Sequence, residues 1–328
     1  MRVSHAPVVA ILGTRYPDFG IEESILGPHG ATLVAGDGGT GAAIAEQASG
    51  ATVVLAGSGP RFDAATIGRL TCLGIVRYGV GVETVDVEAA GRAGMWVANV
   101  PDYGTDAVAL HSVSLMLAAL RRLPQADDIV RSRRWGFAEL RPLHAPETLT
   151  VGIVGFGRIG RRVAAMLQPF GFNLVAFDAH VDAAGVGPEV RAVEFDELIS
   201  ISDVVALHAP ADPDGPALLG PAEIGEMKPG SILVNTARGS LVDLDALEAG
   251  LLAGAPAFAA LDVYPEEPPG RRLERLGDRV LLTPHMAWYT EESELDLRAK
   301  AAHEALRIIQ GLAPLNVIAR PVVRVSNT

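Results

Sequence analysis

A chain of 328 residues exceeds one ordinary hydrophobic core and points to two domains. Its formal net charge of −12 argues against a nucleic-acid-binding surface, and Arg131, Arg133 and Arg134 read as a solvated face rather than a basic patch. A single cysteine, Cys72, excludes an internal disulfide framework and a cysteine-based metal cluster, and no run of 18 apolar residues is present to cross a membrane.

The opening segment, MRVSHAPVVAILGTRYPD, carries an apolar run too short for a signal peptide, so a cytoplasmic location without a bound metal is expected. Residues 7–13 (PVVAILG) and 51–57 (ATVVLAG) are predicted as buried strands, with helical segments between and after them. LGIVRYGVG at 73–81 is a third strand that ends in a glycine-punctuated loop, and MWVANV at 95–100 is a fourth, stopped by Pro101. This alternation is the rhythm of a parallel sheet. Residues 106–120 are predicted as a buried connecting helix, and 124–148, irregular and rich in Arg and Pro, as a linker. A second series opens at LTVGIVGFGRIGRRVAAMLQPFG and continues through NLVAFD, DVVALHAP, SILVNTARG, AFAALDVY and VLLTPH, six strands in all. Thr290 then caps a helix over 291–310 that Glu291 and Glu292 open and Gly311 stops. The tail, 312–328, is expected to pack back on the first domain. The domains are placed at 1–103 plus 292–328, and at 104–291.

Arg238, Glu267 and His285 each follow a short apolar run in this second series. Ligands of an open parallel sheet bind at the carboxyl ends of its strands. Three reactive groups far apart in sequence are therefore predicted on one sheet edge: a cation, a proton carrier, and a carboxylate to hold the carrier. Reduction of a carbonyl coupled to proton transfer needs that set.

Gly155-Phe156-Gly157-Arg158-Ile159-Gly160 is a G-x-G-x-x-G motif between a predicted strand and a predicted helix. In that context the glycines allow a tight turn, close approach of a pyrophosphate, and close helix–strand packing, and the phosphates would sit on the helix N-terminus. Asp178 ends the next strand, 18 residues beyond Gly160. An acid there can accept from ribose hydroxyls and would repel a 2′-phosphate, which favours NAD over NADP, although His180 nearby softens that repulsion.

The segments VGIVGFGRIG, VVALHAP, ILVNTARGSLVD, ALDVYPEEP and LLTPHMAW occur in the order and spacing of the D-isomer-specific 2-hydroxyacid dehydrogenases, and the chain resembles that family over nearly its whole length. The resemblance implies an α/β protein with two doubly wound parallel-sheet domains: a Rossmann NAD-binding domain inserted in a flavodoxin-like substrate domain, with an interdomain cleft. It implies NAD-dependent interconversion of a 2-keto acid and the D-2-hydroxy acid by hydride transfer, in a homodimer. Arg238 matches the arginine that grips the substrate carboxylate, His285 the acid/base, and Glu267, before Pro268, the carboxylate that pairs with that histidine. His208-Ala209-Pro210, Thr236, Ala237, Asp262 and His285 match positions that line the cofactor, Asp262 as an acceptor for the nicotinamide carboxamide. Arg77-Tyr78-Gly79-Val80-Gly81 matches the substrate loop of the first domain.

Met286-Ala287-Trp288-Tyr289 departs from the small residues usual after the histidine and is similar to the branch containing the C-terminal-binding-protein corepressors. Trp288 would wall the substrate pocket with an apolar face, which suggests an apolar or thioether side chain on the substrate. Glu83-Thr84 and Asp106-Ala107 also depart from the family, which has Asp-Asn and paired acids there. The alternatives are an NAD(H)-sensing binding protein like the corepressors, and a glyoxylate, hydroxypyruvate or 3-phosphoglycerate type of dehydrogenase.

Overall fold

The computed structural model describes residues 6–212 and 215–322, so the last part of the predicted tail, 323–328, lies outside the described residues. The chain divides into two compact units, Met1–Gly104 with Thr290–Thr328, and Thr105–Tyr289.

In chain order the first unit contains β1 (Val8–Leu12), α1 (Gly20–Leu26), β2 (Thr32–Gly36), α2 (Gly41–Gln47), β3 (Val53–Ala56), α3 (Ala64–Ile67), β4 (Gly74–Arg77), α4 (Val87–Arg92) and β5 (Trp96–Ala98). The second follows with α5 (Thr105–Leu120), α6 (Leu123–Arg131), β6 (Thr150–Val154), α7 (Arg158–Leu167), β7 (Asn173–Phe177), α8 (Ala183–Val186), β8 (Arg191–Ala192), α9 (Phe195–Ile201), β9 (Val204–Leu207), α10 (Pro221–Gly225), β10 (Ile232–Asn235), α11 (Leu244–Ala253), β11 (Phe258–Leu261) and β12 (Val280–Leu282). The chain then returns to the first unit with α12 (Glu291–Ile309) and β13 (Val317–Ala319).

Among the described residues the first unit forms a sheet in the order β13-β5-β4-β3-β1-β2, parallel except for β13. Without β13 this is the flavodoxin-like order 2-1-3-4-5. The second unit forms a wholly parallel sheet, β12-β11-β10-β9-β6-β7-β8, whose order counted from β6 is 3-2-1-4-5-6-7, the Rossmann winding with one more strand. Its central strands β9, β10 and β11 are buried at every position, as a strand covered on both faces must be. Alternate residues feed two cores. Ile153, Val204, Val234 and Ala260 pack on one face, and Val154, Val205, Leu233 and Leu261 on the other. Helix α5, apolar along most of its length, buries Ala109, Val113 and Met116 in the first of these.

Three elements differ from the sequence reading. Strand β2 is an edge with a largely exposed pattern, Val34 standing 43% exposed, so it lacks the continuous apolar run that marked its neighbours. Strand β8, a two-residue edge, is a seventh strand in the second sheet. The stretch read as a linker begins with a helix, α6, which tolerates Pro124 because a proline in the first turn sacrifices no helical hydrogen bond.

Candidate active site

Strands β10, β11 and β12 are parallel neighbours, with Asn235, Leu261 and Leu282 in register. Arg238, Glu267 and His285 therefore leave the same edge of one sheet. Beyond β10, the buried Asn235 side chain accepts from Ala237 N at 3.0 Å and donates to the Arg238 carbonyl at 2.8 Å, closing the turn that presents Arg238. The guanidinium itself donates to the Ala237 carbonyl at 2.7 Å. Gly239 follows because nothing larger fits. A Cβ there would stand 1.9 Å from the Tyr264 carbonyl carbon and 2.4 Å from Pro265 N, both backbone atoms. That close approach lays the arginine turn against the loop that carries Glu267.

Glu267 is held from two sides. One carboxylate oxygen accepts from Tyr264 N at 3.1 Å, and the other meets His285 Nδ1 at 2.6 Å. Burial alone would raise the Glu267 pKa. The hydrogen bond and charge of His285, the Tyr264 N–H and the Arg238 charge outweigh it and hold the carboxyl below its ordinary range. Tyr264 lends its hydroxyl to the carbonyls of Leu261 and Thr283 at 3.1 and 2.9 Å. Burial, with Asp262 and Glu267 nearby, pushes that phenol up to about 12, so it remains a donor.

His285 has φ +51, a conformation a residue with a Cβ adopts only when its surroundings impose it. Its N–H donates to the Asp262 carbonyl at 2.8 Å, and its carbonyl accepts from Trp288 Nε1 at 3.1 Å. The two residues after it are pinned by the Asp262 carboxylate, which accepts from Met286 N at 3.0 Å, Ala287 N at 2.8 Å and the Thr283 hydroxyl at 2.5 Å. His111 of α5 completes this group, with Nε2 3.1 Å from the Thr283 hydroxyl.

The structure thus moves Asp262 away from its predicted place. Its side chain is wholly buried and engaged by three donors, which leaves it no exposed oxygen for a carboxamide. Trp288 donates its N–H to the His285 carbonyl and packs edge-on against Tyr289, which buttresses the histidine turn. Asn235, Gly239, Tyr264, Thr283 and His111 were missed. The one signal available was His111, the only titratable side chain of α5 beyond its first turn; the others serve local contacts with backbone or a buried carboxylate, which leave no periodicity in a sequence.

At the switch point between β6 and β9, Gly155 turns with φ +91, and a Cβ on it would strike Ala209 N at 2.5 Å. Gly160 packs against the Gly155 carbonyl, while nothing stands within 4 Å of a Cβ added to Gly157. Gly157 and Arg158 are exposed and Ile159 is half-buried at the start of α7. Phe156 departs from the expectation: its ring is in the core and its N–H donates to Asp178 at 2.7 Å, so both are committed within the protein. The other Asp178 oxygen accepts from His180 N at 2.8 Å. Across the turn, both ring nitrogens of His208 and the Thr236 hydroxyl are buried with no partner among the described residues. Burial lowers the His208 pKa to about 4. Ala209 and Ala237 are half-buried and Pro210 is exposed beside them. Open space at Gly157, an N-terminal helix turn and orphaned polar atoms opposite are features that a dinucleotide would fill, so the residues present fit NAD.

In the first unit, Arg77 Nη1 donates to the Tyr78 carbonyl beyond β4. Tyr78 is a further correction. Its ring is 5% exposed and its hydroxyl donates to Glu22, so the side chain is turned away from any ligand of the loop. Gly79 has φ +130, and Val80 is exposed.

A parallel sheet wound on both faces, with a glycine turn opening a helix at its switch point, sets the chain among dinucleotide-binding α/β proteins. Residues 113–287 match the family model described as "D-isomer specific 2-hydroxyacid dehydrogenase, NAD binding domain", and the chain belongs to this family. It is 37% identical over 258 residues to a D-3-phosphoglycerate dehydrogenase of Archaeoglobus fulgidus, covering 77% of this chain and 48% of that one. It therefore spans about half the length of such relatives. It is also 37% identical over 264 residues to a glyoxylate reductase of Aeropyrum pernix, covering 76% of this chain and 77% of the relative. The crystal structure of a glyoxylate reductase from Paecilomyes thermophila superposes with a TM-score of 0.86 at 27% identity, over 96% of this chain and 99% of that one. No helix among the described residues is long and apolar enough to cross a membrane.

Proposed function

We propose that this protein is an NAD-dependent oxidoreductase that interconverts a small 2-keto acid and the corresponding D-2-hydroxy acid. The observation that carries the reading is the 2.6 Å pair of His285 Nδ1 and Glu267, on the sheet edge that also presents Arg238. Glu267, kept ionised, holds the imidazole by Nδ1, which leaves Nε2 to exchange a proton with the carbonyl or hydroxyl oxygen. Arg238 supplies a permanent charge that anchors the substrate carboxylate. Gly157, Arg158 and Ile159 would receive the pyrophosphate at the α7 N-terminus, Asp178 the adenosine ribose, and His208, Thr236 and Ala237 the far side of the crevice. The chemistry that a nicotinamide dinucleotide supplies when bound is hydride exchange with a carbonyl carbon.

The relatives suggest glyoxylate and three-carbon keto acids as substrates. We place the protein in the cytoplasm as a homodimer, with the exposed Trp135 and Phe137 as its contact residues. The deciding experiment is NADH oxidation with glyoxylate, hydroxypyruvate, phenylpyruvate, 4-methylthio-2-oxobutyrate and 3-phosphohydroxypyruvate, beside NADH binding. Turnover of one of them is expected. Tight NADH binding without turnover of any would overturn the reading in favour of a dinucleotide sensor.

A further inference from the structure

The proposed reaction leaves unused a titratable group that stands against the site within the second unit. His111 belongs to α5, a helix that packs across β10 and β11. Its side chain is 20% exposed, and its Nε2 lies 3.1 Å from the Thr283 hydroxyl and 3.6 Å from Asp262 Oδ1. The direction of each hydrogen bond follows from the groups themselves. A carboxylate only accepts, so the Thr283 hydroxyl gives its one proton to Asp262, at 2.5 Å. The hydroxyl oxygen is then left to accept from His111, which places a proton on His111 Nε2. The series runs from His111 to Thr283 to Asp262, each donating to the next.

The last member of this series holds the histidine turn. Asp262 accepts from Met286 N at 3.0 Å and Ala287 N at 2.8 Å, and its own carbonyl receives His285 N at 2.8 Å. Between them His285 keeps φ +51, a backbone state that lasts only where its surroundings over-determine it. A carboxylate free to turn would carry Met286 and Ala287 with it, and through them the imidazole. The three donors to Asp262, Thr283 among them, all come from the segment 283–287 that Asp262 holds, so they tie that segment to the end of β11 alone. His111 adds a contact from a separate element, a helix anchored in the core by Ala109, Val113 and Met116. We infer that His111 is a positioning residue that acts through Thr283 and Asp262 to keep the His285 imidazole where Nε2 can exchange its proton. This rests on the dehydrogenase reading.

The test is steady-state kinetics of His111→Leu, His111→Gln, Thr283→Val and the double variant of His111→Leu with Thr283→Val, with the best keto acid of the panel above, beside NADH affinity and Tm. A misplaced acid/base slows the chemical step, and a small displacement suffices, so His111→Leu should lose about tenfold to a hundredfold in kcat. KM and NADH affinity should stay within about twofold, because ground-state binding is untouched. His111→Gln, whose amide N–H can stand in for Nε2–H, should recover most of the loss. Thr283→Val should lose at least as much as His111→Leu, and the double variant no more than Thr283→Val alone, since His111 has no other route to the turn. A merely structural role would lower Tm and leave kcat of the folded enzyme alone. The assignment is overturned by a wild-type kcat in His111→Leu, by no recovery with Gln, by a loss of affinity in place of kcat, or by losses that multiply in the double variant. Absence of wild-type turnover with every keto acid overturns the dehydrogenase reading, and this one with it. Wild-type turnover that His111→Leu leaves unmoved overturns this one alone.

Discussion

Glu267→Gln is the most informative substitution, because it keeps the shape of the side chain and removes its charge. Two unit charges about 4 Å apart attract by about 4 kcal/mol at the effective dielectric of a protein surface. The Glu267 and His285 side chains are 37% and 46% exposed, and solvent screening reduces that to about 1 kcal/mol. Gln also has a single acceptor oxygen for two partners, the imidazole and the Tyr264 N–H, so one hydrogen bond is lost, for about 1 kcal/mol more. The sum, about 2 kcal/mol, predicts a loss of about 30-fold in kcat/KM for keto-acid reduction. The pH dependence has a definite sign. Glu267 titrates below its ordinary range in the folded protein, so its contribution is whole above the ordinary carboxylate pKa and disappears as pH falls through the lowered value. Wild type should show that acid limb, and Glu267→Gln should lack it. Stopped-flow NADH oxidation across the acid range measures both. A variant with the wild-type rate and the same acid limb would refute the pairing as a working part of the site.

Gly239→Ala should lower stability by about 1–3 kcal/mol, because its Cβ meets the Tyr264 and Pro265 backbone, and should cut kcat/KM further by displacing Arg238; thermal melts and kinetics check both. Asp262→Asn replaces an acceptor with a donor facing backbone N–H groups, so stability should fall by about 1–3 kcal/mol and kcat at least tenfold with NADH affinity retained, whereas a selective loss of NADH affinity would return Asp262 to the carboxamide. His208 takes its proton near 6.5 when unfolded but only near 4 when folded, so the unfolded chain binds more protons in between. Stability of the ligand-free protein should therefore fall by about 3 kcal/mol as pH drops across that window, and urea titrations of His208→Gln should lose this slope.

Much of the architecture was legible because buried parallel strands leave continuous apolar runs. VVAIL, VVLA, ILVN and FAAL are strands in the structure, and each is buried at nearly every position. The glycine motif was legible because three glycines at fixed spacing between a strand and a helix have few other uses. What escaped was whatever faces solvent on one side, such as β2 and β8, and a helix, α6, whose sequence is half polar and opens with a proline.

Within the site the division runs along another line. Residues that offer charge beyond a strand end, Arg238, Glu267 and His285, could be found from position alone, because an open parallel sheet binds its ligands past the carboxyl ends of its strands. Position cannot distinguish such a group from one that turns back to hold the chain. Asp262 and Glu267 both follow β11, five residues apart, and both are carboxylates. One, Glu267, is exposed and bonded to an imidazole; the other, Asp262, is wholly buried and bonded to two backbone N–H groups and a hydroxyl. Their different fates follow from His285. A histidine held at φ +51 leaves the two following N–H groups converging on one point, and an anion must be there to receive them. The same reasoning applies to Tyr78, which falls in the segment matched to the substrate loop but places its hydroxyl on a buried carboxylate. A site of this kind needs about as many polar groups to fix its backbone as to meet its ligand, and only the paired donors and acceptors in three dimensions tell the two sets apart.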